Sequence, residues 1–261
     1  NHTEGCTSCD SGSYCKDAGM TEPTGPCIGG YYCPGGCADK RCYSKTCEDL
    51  PGGDCPTGFF CPNGTSTPFP CPTGTTAATK NAIVCPACPA GYYCPQGTAE
   101  PHVCPHGRFC PPSTGGVIPM CPSGTYSNNT GLVNVSDCAL CTGGQTCPTA
   151  GLSQPTGTCH YGYYCTRGAA TAFAGTGSLG GIGGVCPAGH MCPTGTAHPF
   201  KCHPGTYNPA SESNSSDACL ECPPGKYCET AGLSEPTNDC AEGFYCTGGD
   251  AVDRPSTAVC P

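Results

Sequence analysis

The apolar side chains of this chain keep company with its cysteines. Ten times the sequence writes Cys, five residues, Cys: Cys9/Cys15, Cys27/Cys33, Cys55/Cys61, Cys88/Cys94, Cys104/Cys110, Cys141/Cys147, Cys159/Cys165, Cys186/Cys192, Cys222/Cys228 and Cys240/Cys246. Eight of the ten carry an aromatic residue just before the second Cys; Thr146 and Met191 are the exceptions. All ten carry Gly three residues after the first, from Gly12 to Gly243. That spacing predicts a tight reversal between two short extended pieces, with Gly at the turn because it accepts a positive φ without Cβ strain. The aromatic, Tyr93 in Cys-Pro-Ala-Gly-Tyr-Tyr-Cys for instance, supplies a small apolar patch over a disulfide or the next loop. The Pro that often follows Cys restricts the unfolded chain.

A longer period lies above this one. Cys-x-x-Cys occurs at Cys6/Cys9, Cys85/Cys88, Cys138/Cys141 and Cys219/Cys222. Three long loops with Gly-Thr near their start, Cys71 to Cys85, Cys121 to Cys138 and Cys202 to Cys219, each precede one of these pairs. The chain therefore divides into cysteine-rich modules at 1–33, 55–87, 88–137 (with its long loop), 138–165, 186–221 and 222–261. Residues 34–54, with Cys37, Cys42 and Cys47, read as an inserted disulfide loop, and the cysteine-free 166–185 as a Gly/Ala/Ser-rich linker or surface loop. The expected fold is small and disulfide-rich: tandem modules of short β-hairpins and loops, elongated, with almost no helix.

Composition changes the picture mainly by exclusion. The 261 residues include 31 Cys, 40 Gly and 30 Pro. Leu, Ile, Val and Phe together make about a tenth of the chain, half the ~20% below which a packed core is implausible. No apolar run approaches the ~18 residues of a membrane span, and a coiled coil or conventional enzyme fold is excluded with it. Ten Lys and Arg against a net charge of −9 give no phosphate-neutralising footprint, so no nucleic acid is expected. A cysteine load this high implies disulfides formed in an oxidising compartment, hence an extracellular or cell-surface protein.

The run Cys-Pro-x-Gly-Thr-Tyr-Ser-Asn at 121–128 and the run Cys-x-x-Cys-Pro-x-Gly-Tyr-Tyr-Cys at 85–94 together resemble the ephrin-receptor-like cysteine-rich repeat. That repeat is similar in spacing to tumour-necrosis-factor-receptor and EGF-like modules. The resemblance implies an extracellular modular fold, of the kind found in large secreted proteins that build coats, stalks or flagellar hairs. It also implies interlocked pairing, first cysteine with third and second with fourth. The expected bonds are Cys9–Cys27 with Cys15–Cys33, Cys88–Cys104 with Cys94–Cys110, Cys141–Cys159 with Cys147–Cys165, and Cys222–Cys240 with Cys228–Cys246, leaving Cys121–Cys138 as a simple loop. For the quartets 55/61/71/85 and 186/192/202/219, Cys71–Cys85 and Cys202–Cys219 are equally sensible simple loops, and Cys37, Cys42 and Cys47 stay open.

Little other chemistry is legible. Zinc knuckles do not account for the Cys-x5-Cys majority, and His102, His106, His160, His190, His198 and His203 read as exposed loop residues rather than a metal site. Neither an EF-hand loop nor a Ser/His/Asp constellation is present, so no cofactor and no enzyme activity are expected. Sequons at Asn1, Asn63, Asn128, Asn134 and Asn214 point to N-linked glycans, and the Ser, Thr and Pro content permits O-linked ones. Both ends read as mid-module, and the odd cysteine count leaves a thiol over, so Cys6 or Cys260 is expected in an intermolecular or inter-segment disulfide. The sequence thus points to a structural glycoprotein, a segment of a filament, coat or surface appendage that associates head-to-tail or continues in a longer chain. The alternative is the ligand-binding ectodomain of a receptor or adhesin, using the charged 34–54 insertion with Asp39, Lys40, Arg41, Lys45, Glu48 and Asp49.

Overall fold

Every cysteine that opens a hairpin also opens a turn of the same kind. In Cys55-Pro56-Thr57-Gly58-Phe59 the Phe59 N–H donates to Pro56 O at 3.3 Å, and Gly58 has φ +79°. This is the type II pattern, in which the third residue must take a positive φ. The chain then reverses into an antiparallel pair, Phe59–Phe60 against Phe69–Pro70. The computed structural model describes residues 8–42, 52–173 and 182–256, and in them such pairs recur as ten two-stranded ladders. The described residues hold no α-helix, only two 3-10 turns at Val135–Asp137 and Ser216–Ala218.

The repeating element is shorter than the modules expected from sequence. We term it a rung: it begins at the first cysteine of each hairpin and runs to the next such cysteine. Thirteen rungs start in the described residues, at Cys9, Cys27, Cys55, Cys71, Cys88, Cys104, Cys121, Cys141, Cys159, Cys186, Cys202, Cys222 and Cys240. Rungs at Cys71, Cys121 and Cys202 carry the turn glycine (Gly74, Gly124, Gly205) but have Ala77, Ser127 and Asn208 where the others have a second cysteine. The long loops are therefore ordinary rungs with one sulfur moved downstream.

The disulfides follow the turn, and the interlocked pairing is corrected. Cys9 bonds Cys15 and Cys27 bonds Cys33, not Cys9 with Cys27 and Cys15 with Cys33. Likewise the bonds are Cys88–Cys94 and Cys104–Cys110, Cys141–Cys147 and Cys159–Cys165, Cys222–Cys228 and Cys240–Cys246. The physical reason is local. A Gly-centred reversal brings residues i and i+6 to a Cα separation of 5.8 Å in Cys9–Cys15 and 6.0 Å in Cys55–Cys61, within disulfide range before any neighbouring rung is needed. Cys186–Cys192 follows the same rule. Where the second cysteine is absent, the first closes a larger loop, Cys71–Cys85, Cys121–Cys138 and Cys202–Cys219. Cys37–Cys42 is an extra bond inside the second rung, while Cys6, Cys47 and Cys260 lie outside the described residues.

The two excursions belong to hairpins. Residues 53–54 pair with Tyr31–Tyr32, closing the rung that holds the 34–54 insertion. Ile182–Val185 pairs with Tyr163–Arg167, with a register shift between Cys165 and Arg167. The described ends of the stretch 166–185 are thus strand, at 166–167 and 182–185; residues 174–181 of the Gly/Ala/Ser-rich stretch lie outside the described residues.

By its contacts the chain forms two compact units, one of residues 1–119 and 130–134, the other of 120–129 and 135–261. Within each, a rung is tied to its successor by four backbone hydrogen bonds. In the first unit Cys104 N–H donates to Gly91 O, Gly91 N–H to Cys110 O, Cys94 N–H to Thr114 O and Ser113 N–H to Cys88 O, each at 2.9 Å. The second unit repeats the set from Cys141 to Cys165 at 2.7–2.9 Å, through Gly144, Gly168 and Ala169. Asn208 joins this pattern in place of a cysteine: its carbonyl accepts from Gly189 N–H at 2.8 Å. Its buried amide donates to His190 O and Ser213 Oγ, so a polar network replaces the missing disulfide.

A further contact reaches two rungs ahead. The turn glycine sits against the carbonyl of a second turn: a Cβ on Gly91 would stand 2.8 Å from Gly131 O, and one on Gly124 2.6 Å from Gly168 O. Glycine is required there twice over, for its φ and for the absent side chain. The interior is sulfur: apart from Ala77, Leu132 and Ala169, every buried apolar residue described is a cysteine.

Candidate functional site

Among the described residues no single cleft gathers chemistry; what the structure offers is a set of cross-links and surface groups repeated along the rungs. The aromatic before the second cysteine packs across its own hairpin rather than over the next loop. Phe60 meets Phe69 with ring centroids 5.7 Å apart, and Tyr93 meets His102 at 5.2 Å. Where the opposite residue is glycine, the ring covers it: a Cβ on Gly25 would touch Tyr14 Cε1 at 3.5 Å, and one on Gly184 the Tyr164 ring at 3.2 Å. These rings shield short ladders, which have little other apolar cover.

The histidines are dispersed. His102 stacks on Tyr93, His190 Nδ1 lies 3.0 Å from Ala188 O, and His160 packs against Tyr161 and Phe173 at centroid distances of 4.0 and 4.7 Å. Among the described residues the one group of three potential metal ligands is Cys33, Cys37 and Cys42. Its sulfurs are bound up in the adjacent disulfides Cys27–Cys33 and Cys37–Cys42, which with Tyr14 and Tyr31 form a local core. A disulfide sulfur is no thiolate and does not ligate zinc.

The charged insertion is partly tied inward. Asp39 Oδ1 accepts from Arg41 N–H at 2.7 Å, and the Arg41 guanidinium lies over the Tyr31 ring, 5.7 Å from its centroid. Lys45, Glu48 and Asp49 lie outside the described residues. An exposed ion pair joins Lys226 and Asp239 at 2.7 Å across one hairpin, a contact of small energetic weight.

The sequons occupy open surface. Asn63, Asn128, Asn134 and Asn214 are all exposed; Asn1 lies outside the described residues. Asn63 uses its Oδ1 to accept from Gly29 N–H at 2.6 Å, which leaves to a glycan the amide nitrogen it would modify.

Sequence reasoning missed the rung itself. Its signal was present: Gly74, Gly124 and Gly205 stand three residues after Cys71, Cys121 and Cys202, as in the ten complete pairs. No helix among the described residues is long and apolar enough to cross a membrane. No known family model matches the chain, and a search of curated proteins finds no significant relative.

Proposed function

We propose that this chain is a structural extracellular glycoprotein, a disulfide-stapled segment of a filament, coat or surface appendage. The observation that carries the reading is the rung-to-rung register: one backbone contact set, repeated in both units, joins successive rungs within each unit. Quasi-one-dimensional stacking of this kind builds length by adding copies of one element. Fourteen disulfides fit an oxidising, extracellular setting. Glycans at Asn63, Asn128, Asn134 and Asn214 would sit on exposed surface, and enzymatic removal of N-glycans from the secreted protein is expected to lower its mass by several glycan units.

In this reading the chain meets further copies head-to-tail or continues in a longer polypeptide, with Cys6 or Cys260 carrying the covalent link. Electron micrographs of the native material test it. A filament or ordered coat supports the reading, with a ladder of multiples on non-reducing gels that collapses on reduction and shortens in Cys6→Ser and Cys260→Ser variants. Isolated particles that run as monomers with and without reductant contradict it.

A further inference from the structure

Each of the fourteen disulfides among the described residues lies inside a single rung. Ten close a Gly-centred turn of sequence separation 6, Cys37–Cys42 closes a glycine-free loop of 5, and three close loops of 14 or 17. Rung starts are at least 16 residues apart, and no bond in the described residues crosses from one rung to the next. Contacts across the junctions are noncovalent: backbone hydrogen bonds, the close glycine–carbonyl approach and side-chain hydrogen bonds such as those of Asn63 with Gly29, Thr76 with Ala99 and Asn208 with His190. Covalent strength and stacking strength are therefore separated in space.

From this we infer that the protein is an extensible element. Under tension along the chain, the junctions within each unit open singly, in succession, while every disulfide stays closed. The rungs re-stack on release because each disulfide-closed turn keeps its shape, although the return strand that lies in the free segment is drawn out with it. The interlocked pairing would forbid this, since a bond such as Cys88–Cys104 would bridge the junction directly.

The free lengths follow from the sequence. Ten residues run from Cys61 to Cys71 and from Cys94 to Cys104, and twelve from Cys147 to Cys159 and from Cys228 to Cys240. Fully extended, such a segment spans roughly 35–40 Å. The loop-closed rungs are stiffer, because only two residues separate Cys85 from Cys88, Cys138 from Cys141 and Cys219 from Cys222, about 10 Å of slack. The element thus combines runs of yielding steps with single clamped ones, and a neighbour-coupled array of this kind opens locally rather than all at once.

The inference stands whether or not the chain is built into a filament, so its failure is separate from failure of that assignment. Single-molecule stretching of the full chain between inert handles tests it. Without reductant, the expected record is a series of releases that recur on repeated stretching, most of them roughly 35–40 Å and two of roughly 60–75 Å from the longer segments Cys33 to Cys55 and Cys165 to Cys186. Reductant is expected to add roughly 15 Å for each six-residue hairpin opened. A chain that refuses to lengthen until reductant is added, or one that gives way in a single release per unit, overturns the inference.

Discussion

Full reduction is expected to abolish the fold, with loss of protease resistance and of the ordered signal of the aromatic side chains in near-ultraviolet circular dichroism. The interior leaves no other outcome. Buried apolar residues other than cysteine number three among those described, Ala77, Leu132 and Ala169, and large apolar side chains such as Phe69, Val103 and Phe200 are exposed. A six-residue hairpin closure contributes about 2.5 kcal/mol in the chain-entropy treatment and the longer loops about 3 kcal/mol. Domains are stable by about 5–15 kcal/mol in total, so loss of a few bonds exceeds the margin. Removal of one pair, Cys141→Ala with Cys147→Ala, is expected to be local: the hairpin loosens and protease cuts near it, while distant rungs keep their protection. Limited proteolysis with and without reductant reads both results. A reduced chain as resistant as the oxidised one contradicts the assignment of stability to sulfur.

The second large effect is expected at the turn glycines. Gly124 has φ +84° and no room for a Cβ, which would stand 2.6 Å from Gly168 O. A non-glycine residue in left-handed backbone costs about 1–2 kcal/mol, and the forced separation of two turns adds to it. Gly124→Val is expected to destabilise by roughly 3–4 kcal/mol, a size reserved for overpacking or strain at a special φ. Gly116 is the control: nothing lies within 4 Å of its Cβ position, and its φ lies outside the left-handed region. Gly116→Ala is expected to change stability by less than about 0.5 kcal/mol. Thermal unfolding of the two oxidised variants beside the parent decides the point. Equal losses, or none for Gly124→Val, sink the two-rung contact.

Legibility divided along a physical line. The hairpin with glycine at its turn was readable because φ at Gly12, Gly30, Gly58 and their counterparts is fixed by local sterics, which sequence records directly. Short ladders, buried cysteines and the near-absence of helix follow from the same feature. Pairing departs from that of the interlocked repeats the sequence resembles because the local geometry of Cys-x5-Cys decides it: a tight turn already brings the sulfurs together. Long loops hid their identity because Ala77, Ser127 and Asn208 replace the residue that marks the pattern. The stacking between rungs left almost no trace: it is made by backbone N–H and C=O groups, which every residue but proline offers alike. Only the second positive-φ position hints at it. There Gly64, Gly97 and Gly131 alternate with Asn81, Ser113 and Glu212, residues tolerated in left-handed backbone to different degrees.

Asn208 shows how a rung tolerates loss of its second sulfur. Its amide binds His190 O at 2.9 Å and Ser213 Oγ at 2.8 Å, and its Oδ1 accepts from Ala210 N–H at 3.0 Å. Ser127 achieves less, accepting from Asn129 N–H at 3.2 Å and donating to Asn129 O at 3.0 Å. Ala77 makes no side-chain bond and is simply buried. All three rungs keep their backbone register, which places specificity for stacking in the main chain and leaves the sulfurs to hold each hairpin.

Digestion after lysine and after glutamate under non-reducing conditions, followed by mass spectrometry, is the most direct test of that division. Cleavage after Lys16 falls between Cys15 and Cys27, and cleavage after Glu229 between Cys228 and Cys240. Self-closed hairpins are expected to separate at these cuts, with Cys9–Cys15 and Cys27–Cys33 on different fragments, and Cys222–Cys228 and Cys240–Cys246 likewise. Fragments still joined across Lys16 by a Cys9–Cys27 or Cys15–Cys33 bond, or across Glu229 by a Cys222–Cys240 or Cys228–Cys246 bond, would contradict it.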